Sequence, residues 1–223
     1  LVFAQTYGLK SPASSSQLIA TAEPELVDLE QFSDLVAKLE SRWESTYEGY
    51  FDRDFARLGS VKQIAERLQE VQEQTNISPA VIWVMPADDF LELILVTPKK
   101  QFEIKKIPGA NRERLTKRIN ELGMAMSDRT SLEYYPPARL IYDWIFKPLD
   151  PYLEAENIDT LLLCTGPKLR SLPFAALHDG DKFVIEKYNL ALIPAFTLTD
   201  TSYQAQPDRQ VLAMGTSEFN NLP

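Results

Sequence analysis

The chain has 223 residues but one cysteine and one histidine. A single cysteine excludes an internal disulfide framework. One cysteine and one histidine are too few for the usual His/Cys zinc clusters, so no metal site is expected. No apolar run approaches the roughly 20 residues that a membrane-spanning helix needs. Lysine and arginine form no stripe: Lys99-Lys100 and Lys105-Lys106 are isolated pairs, and the net charge is −9. Nucleic acid and anionic membrane are therefore not expected partners, because both are polyanions. Only eight glycines occur, and none forms G-x-G-x-x-G or the P-loop pattern, so a nucleotide-binding reading is a poor match even though Gly166 and Gly215 end apolar strands. Repeats and low-complexity runs are also missing. The lack of disulfides is compatible with cytoplasm. The start, Leu1-Val-Phe-Ala-Gln5, fits a strand or the end of a signal peptide, and export is the less favoured alternative because no positive region precedes it.

What is present is an ordinary globular balance, 44% hydrophobic and 25% charged, on enough length for one sizeable core. Residues 1–24, with Ser11-Pro-Ala-Ser-Ser-Ser16, read as a flexible N-terminal segment. Residues 25–51 carry apolar side chains at helical spacing, including Leu26, Leu29, Phe32, Val36 and Leu39. Trp43, Tyr47, Tyr50 and Phe51 continue this pattern and read as packing, as does Trp144. Glu40, Glu44 and Glu48, spaced by four, read as a solvated acidic face. Ser60 suits the N-cap of a second helix reaching about residue 74.

The period then changes. Residues 80–85, 90–97 and 101–107 read as three strands joined by short turns, an antiparallel meander. Residues 111–126 and 134–156 read as helices, and Pro148 and Pro151 must kink or divide the second. Residues 159–164 have no polar alternation and read as a strand buried on both faces of a parallel sheet; 211–215 reads similarly. Residues 183–185 read as a strand after a turn at Leu177-His-Asp-Gly180, and 190–194 as a further element. The order of elements is that of an α/β fold.

Three segments, Leu169-Arg-Ser-Leu-Pro-Phe-Ala-Ala-Leu-His-Asp-Gly180, Ile185-Glu-Lys-Tyr188 and Val211-Leu-Ala-Met-Gly-Thr-Ser-Glu-Phe219, resemble the front half of the CHAT domain, a caspase-like cysteine peptidase module of clan CD found widely in bacteria. The resemblance implies a caspase-like, mostly parallel sheet flanked by helices, preceded by helices and a small antiparallel hairpin sheet. It divides the chain into the segment 1–24, a helical and hairpin part at 25–156, and the first core strands at 157–223. In that family the catalytic histidine and cysteine follow the last of these segments. The resemblance therefore implies no catalytic residue in this chain; the dyad would come from residues after 223 or from a second chain. The completed module would be a cysteine endopeptidase acting on a peptide or protein, with no metal or organic cofactor and with helical-repeat regions as further partners. The competing class is a non-catalytic interaction or regulatory scaffold.

The candidate residues follow from this frame. Cys164, in Leu161-Leu-Leu-Cys-Thr165, reads as a buried, inert residue, because a reactive thiol needs an electropositive and accessible setting. His178 reads as a turn histidine bonded to backbone or to Asp179. Lys168 and Arg170 lie in the loop after the first core strand, and open parallel sheets bind ligands beyond the carboxyl ends of their strands. That places both near where a substrate would lie, as candidate substrate-binding residues; in caspases an arginine after the corresponding strand helps fix the acidic P1 side chain, so the resemblance implies that role for Arg170. The alternative is a solvated loop, or an arginine pairing with a carboxylate to hold the turn at Pro173.

Overall fold

The computed structural model describes residues 29–51, 60–128, 130–166, 169–199 and 201, with side chains in the first helix described at 30, 32–41, 44 and 45. The segment expected to be flexible at 1–24 and the strand expected at 211–215 lie outside the described residues. Helix α1 (Leu29–Phe51) precedes α2 (Val61–Thr75). Ser60 caps α2 as its residue type suggests: the hydroxyl accepts from the Gln63 N–H at 3.4 Å. Asn76 ends it in the left-handed region, φ 59°, returning its N–H to the Gln72 carbonyl at 2.9 Å.

Strands β1 (Pro79–Pro86), β2 (Leu91–Val96) and β3 (Phe102–Ile107) form the expected antiparallel meander. Helices α3 (Arg112–Met126), α4 (Tyr135–Ile145) and α5 (Asp150–Ala155) then carry the chain back to the start of β4 (Thr160–Thr165), which pairs parallel with β1. The long helical pattern is divided as expected: Pro148 lies in the turn between α4 and α5, and Pro151 lies in the first turn of α5, where its missing N–H has no helical partner to lose. A crossover through α6 (Val184–Lys187) leads to β5 (Asn189–Ile193), parallel to β4.

The α/β class holds; among the described residues the sheet is mixed, with two parallel and two antiparallel pairings, and the hairpin strands belong to it and are not a small separate sheet. One mixed five-stranded sheet runs in the order β3-β2-β1-β4-β5. The reason is visible in β1. Ala80, Val81, Ile82, Trp83 and Val84 are all buried, so this strand needs cover on both faces, which a separate hairpin sheet would lack. Alternation sorts the two faces. Ile82, Leu93, Leu95, Leu161 and Leu163 pack with Leu115, Ile141 and Leu153 of α3, α4 and α5. Val81, Trp83, Ile94, Val96 and Cys164 pack with Phe32 and Val36 of α1 and Ile64 and Leu68 of α2. The sheet is thus a middle layer between two layers of helix.

The strand expected at 183–185 is instead the start of α6. Phe183 makes a single bridge to His178, and the chain then coils. The Glu186 carboxylate accepts from the Phe183 N–H at 2.7 Å, which supports the helix start in place of a ladder. Gly180 makes the preceding turn, at φ 106°. The backbone conformation selects glycine there; the Arg139 guanidinium, 2.7 Å from where a Cβ would stand, is the tip of a flexible side chain that can move aside.

Candidate functional site

Strands β4 and β5 are parallel, so their carboxyl ends lie side by side. There the last residues of both strands, Thr165 and Ile193, meet Arg170, Leu192 and Pro194 around a hollow of about 230 Å³. The loop that brings Arg170 to it is held by local bonds and burial. Leu169 donates to the Gly166 carbonyl and Leu172 to the Leu169 carbonyl, both at 3.0 Å, and the side chains of Leu169 and Leu172 are buried. Two apolar anchors therefore flank an exposed arginine. A guanidinium beside apolar side chains suits a carboxylate or a peptide carbonyl, since its planar fork donates to both. Lys168, the other expected residue of this loop, lies outside the described residues.

Cys164 stands one residue before the end of β4, and its side chain is fully buried on the sheet face covered by α1 and α2. Burial pushes the thiol well above its usual range, the Glu40 carboxylate adds to this, and a hydrogen bond with the Phe196 backbone opposes it only in part. This is the inert cysteine that the sequence suggested.

His178 is also committed to the fold, although it is buried and not at the surface, with 5% exposure. Nδ1 accepts from the Gly180 N–H at 3.1 Å, so the ring proton belongs on Nε2, which lies 3.0 Å from the Tyr135 carbonyl. The ring packs against Tyr135 and Phe183 at centroid distances of 4.7 and 5.6 Å. Its chain neighbour Leu177 belongs to the core on the other side of the sheet from Cys164. The two residues do not form a dyad.

Two polar clusters escaped the sequence reading. In the first, Lys187 Nζ donates to the Tyr142 hydroxyl at 2.7 Å and to Asp179 at 3.3 Å, and lies 3.7 Å from Asp150. Tyr142 in turn donates to Asp150 at 2.8 Å. Burial would lower the Lys187 pKa, but Asp150 and Asp179 outweigh it and raise it. Burial, then the hydrogen bond to Asp150, raise that of Tyr142. Burial pushes Tyr188 up to about 12 against the opposing pull of Lys187. The cluster ties α4 and α5 to α6 and the turn before it. Nothing at single positions announces it, because its members are spread over residues 142–188.

The second is Glu40, which is 3% exposed and not part of a solvated face; Glu44 is buried too. Oε1 accepts from Trp83 Nε1 at 2.6 Å, while Oε2 accepts from the Thr197 N–H and hydroxyl at 3.0 and 2.9 Å. A signal existed: Phe32, Val36 and Glu40 are spaced by four, so Glu40 continues the apolar stripe. The side chains of Trp43, Tyr47, Glu48, Tyr50 and Phe51 lie outside what the structure describes. Among the described residues, no three His, Cys, Asp or Glu side chains converge as a metal site would require.

A family model for the CHAT domain matches residues 135–222, beginning at the first residue of α4. The resemblance read from the sequence is borne out over that range. No curated protein matches the chain. Among solved structures, one titled "PilM-PilN type IV pilus biogenesis complex" is similar at 17% identity and a TM-score of 0.31, covering 61% of this chain and 43% of that chain. The chain thus spans less than half the length of that structure, and a likeness at this score bears on neither fold nor function.

Proposed function

We propose that the chain supplies the first part of a CHAT-like, protease-related module, and that the loop after β4 borders the cleft for a peptide or protein substrate. The observation that carries this is the hollow at the carboxyl ends of β4 and β5 with Arg170 in its wall. In this reading Arg170 and Lys168 hold substrate. The thiolate that attacks the scissile carbonyl, the histidine that moves the proton and the amides that receive the oxyanion come from residues after 223 or from a second chain. The commitment of Cys164 and His178 to the core supports that assignment. No cofactor is needed for such chemistry.

The test compares Arg170→Glu and Arg170→Lys with wild type in the complete protein, by catalytic efficiency or peptide affinity and by melting temperature. Losing a charge-assisted bond to substrate should cost about 1.5–3 kcal/mol, a fall of roughly 10- to 150-fold for the glutamate variant. Lysine should lose less, and the loss of efficiency should exceed what any fall in melting temperature accounts for. An unchanged efficiency, or a fall in step with unfolding, assigns Arg170 to the scaffold.

A second reading, a non-catalytic interaction module, is favoured by one observation: the chain's single cysteine and single histidine are both used structurally. Thiol alkylation of the complete protein separates the two. The peptidase reading requires peptide cleavage that alkylation abolishes while Cys164 stays unlabelled.

A further inference from the structure

The wall of the hollow at the strand ends is tied to a helix more than 150 residues earlier in the chain. Register places Trp83 of β1, Cys164 of β4 and Ile193 of β5 in one row across the sheet. All three belong to the core on the side of α1 and α2. Ile193 also lines the hollow, together with Thr165 and Pro194, the next residues after Cys164 and after Ile193 itself. Glu40 enters this row from α1. Its Oε1 accepts from Trp83 Nε1 at 2.6 Å, and its Oε2 accepts from the Thr197 N–H at 3.0 Å and hydroxyl at 2.9 Å. Cys164 adds a hydrogen bond with the Phe196 backbone.

Thr197 is three residues beyond Pro194, and the chain between them is pinned. Ala195 and Phe196 are buried. Thr199 closes the turn: its N–H donates to the Phe196 carbonyl and its hydroxyl to the Ala195 carbonyl, each at 3.0 Å. Among the described residues β5 pairs only with β4, so these contacts with α1 and β4 carry much of the burden of placing the end of β5. A buried carboxylate costs desolvation that a leucine at the same position would not. What it offers and leucine cannot is direction: charge-assisted bonds on both oxygens hold the Thr197 backbone at a set place. A wall ordered in advance lowers the entropy lost when a ligand binds against it.

We infer that Glu40 is a positioning residue of the cleft, which acts through Thr197 to fix Ile193 and Pro194 in the hollow that also holds Arg170. The inference rests on the peptide-cleft reading above. Two readouts test it in the complete protein, at a temperature well below the melting point of every variant. Without ligand, hydrogen exchange over residues 192–197 should rise about tenfold in Glu40→Gln. Leu68→Ala, which opens a gap in the same core, should not single out those residues. With ligand, the probe is a labelled, end-capped heptapeptide with a central glutamate, beside its glutamine counterpart, read by fluorescence anisotropy. Glu40→Gln should weaken the better-bound peptide by about three- to tenfold, and the effect should shrink in an Arg170→Glu background, because the displaced wall then has no arginine contact left to spoil. Thr197→Ser keeps both donors and should bind as wild type does. Unchanged exchange at 192–197 overturns the inference whatever the peptides do. So does a loss of affinity that is equal in both backgrounds or matched by Leu68→Ala, which assigns Glu40 to overall stability. Binding that is absent from wild type, or untouched by Arg170→Glu, removes the cleft reading itself and this role with it, even where exchange rises.

Discussion

Glu40 of α1 hydrogen-bonds both to the middle of the sheet and to the segment after β5. Glu40→Ala removes the acceptor for three donors at once. Trp83 is fully buried, so its indole N–H has no water to turn to, and an unsatisfied buried donor costs about 1–3 kcal/mol. Thr197 is half-buried and recovers part of its loss by hydration. Loss of the apolar stem of Glu40 also leaves a gap beside Val36 and Phe32, which lie one and two turns away on the same face. Together these give roughly 3 kcal/mol, about 6–12 °C in melting temperature for a chain of this size. Glu40→Gln should lie between, because the amide keeps one acceptor but turns two donors toward groups that already donate. Trp83→Phe removes the donor from the other side, so the double variant should lose about 1–2 kcal/mol less than the sum of the singles. Urea unfolding followed by far-ultraviolet circular dichroism measures all four proteins without relying on tryptophan emission. If Glu40→Ala stays within about 0.5 kcal/mol of wild type, or if the two losses simply add, the carboxylate does not hold the helix to the sheet.

Cys164 should resist maleimide in the native state and react only on unfolding, and Cys164→Ala should leave any peptidase activity of the complete protein intact with a loss of about 1 kcal/mol; rapid stoichiometric labelling of the native protein would contradict its burial. Asp179 gives a pH signature. Its partial burial favours the neutral acid, but the N–H groups of Lys182 and Asp181, with Lys187, outweigh this and hold the carboxyl at about 2, against an ordinary 3.8. A pKa lowered in the folded state stabilises fully above the unfolded value and is lost as pH falls through the folded one. The stability gap between wild type and Asp179→Asn should therefore be constant above about pH 4 and close between about pH 4 and pH 2; a gap independent of pH in that window refutes the assignment.

Much of this was legible residue by residue. Ser60 caps α2 as its residue type suggested, and α3 begins where its helical spacing does, with Asn111 accepting from the Arg114 N–H at 3.0 Å. The meander was readable from short turns between apolar runs, and the inert character of Cys164 from its apolar neighbours. What failed had specific causes. Strand β1 is as apolar on both faces as β4, but the short turns after it drew attention to local pairing, while its pairing with β4 spans about 80 residues and leaves no local mark. The apolar start of α6, Phe183-Val-Ile185, suits a strand by propensity, yet Glu186 folds back on it and tertiary context decides. Glu40 was judged by its charge and by its acidic neighbours, when its spacing from Phe32 and Val36 already placed it inward. Arg170 was placed at the strand ends by a topological rule, which needs only that β4 and β5 be parallel, and that much of the sheet is.

The two edges of the sheet differ in a way that bears on where a substrate would lie. Edge strands invite pairing unless charges discourage it. Strand β3 carries Glu103, Lys105 and Lys106, with Lys105 paired to Glu103 at 2.8 Å and Lys106 lying 3.9 Å from Glu92. Strand β5, Asn189-Leu-Ala-Leu-Ile193, carries no charge, and Leu192 is 50% exposed. Among the described residues β5 pairs only with β4. Among the described residues the charged strand β3 and the uncharged strand β5 are thus at opposite ends of one sheet, and the hollow that holds Arg170 is at β5, with Leu192 and Ile193 in its wall. An extended peptide needs unpaired backbone groups to align it and a side-chain contact to select it. Arg170 and the uncharged end of β5 border the same hollow, so the peptide cleft proposed above would draw its side-chain contact from the arginine, and the Arg170 variants test that contact directly.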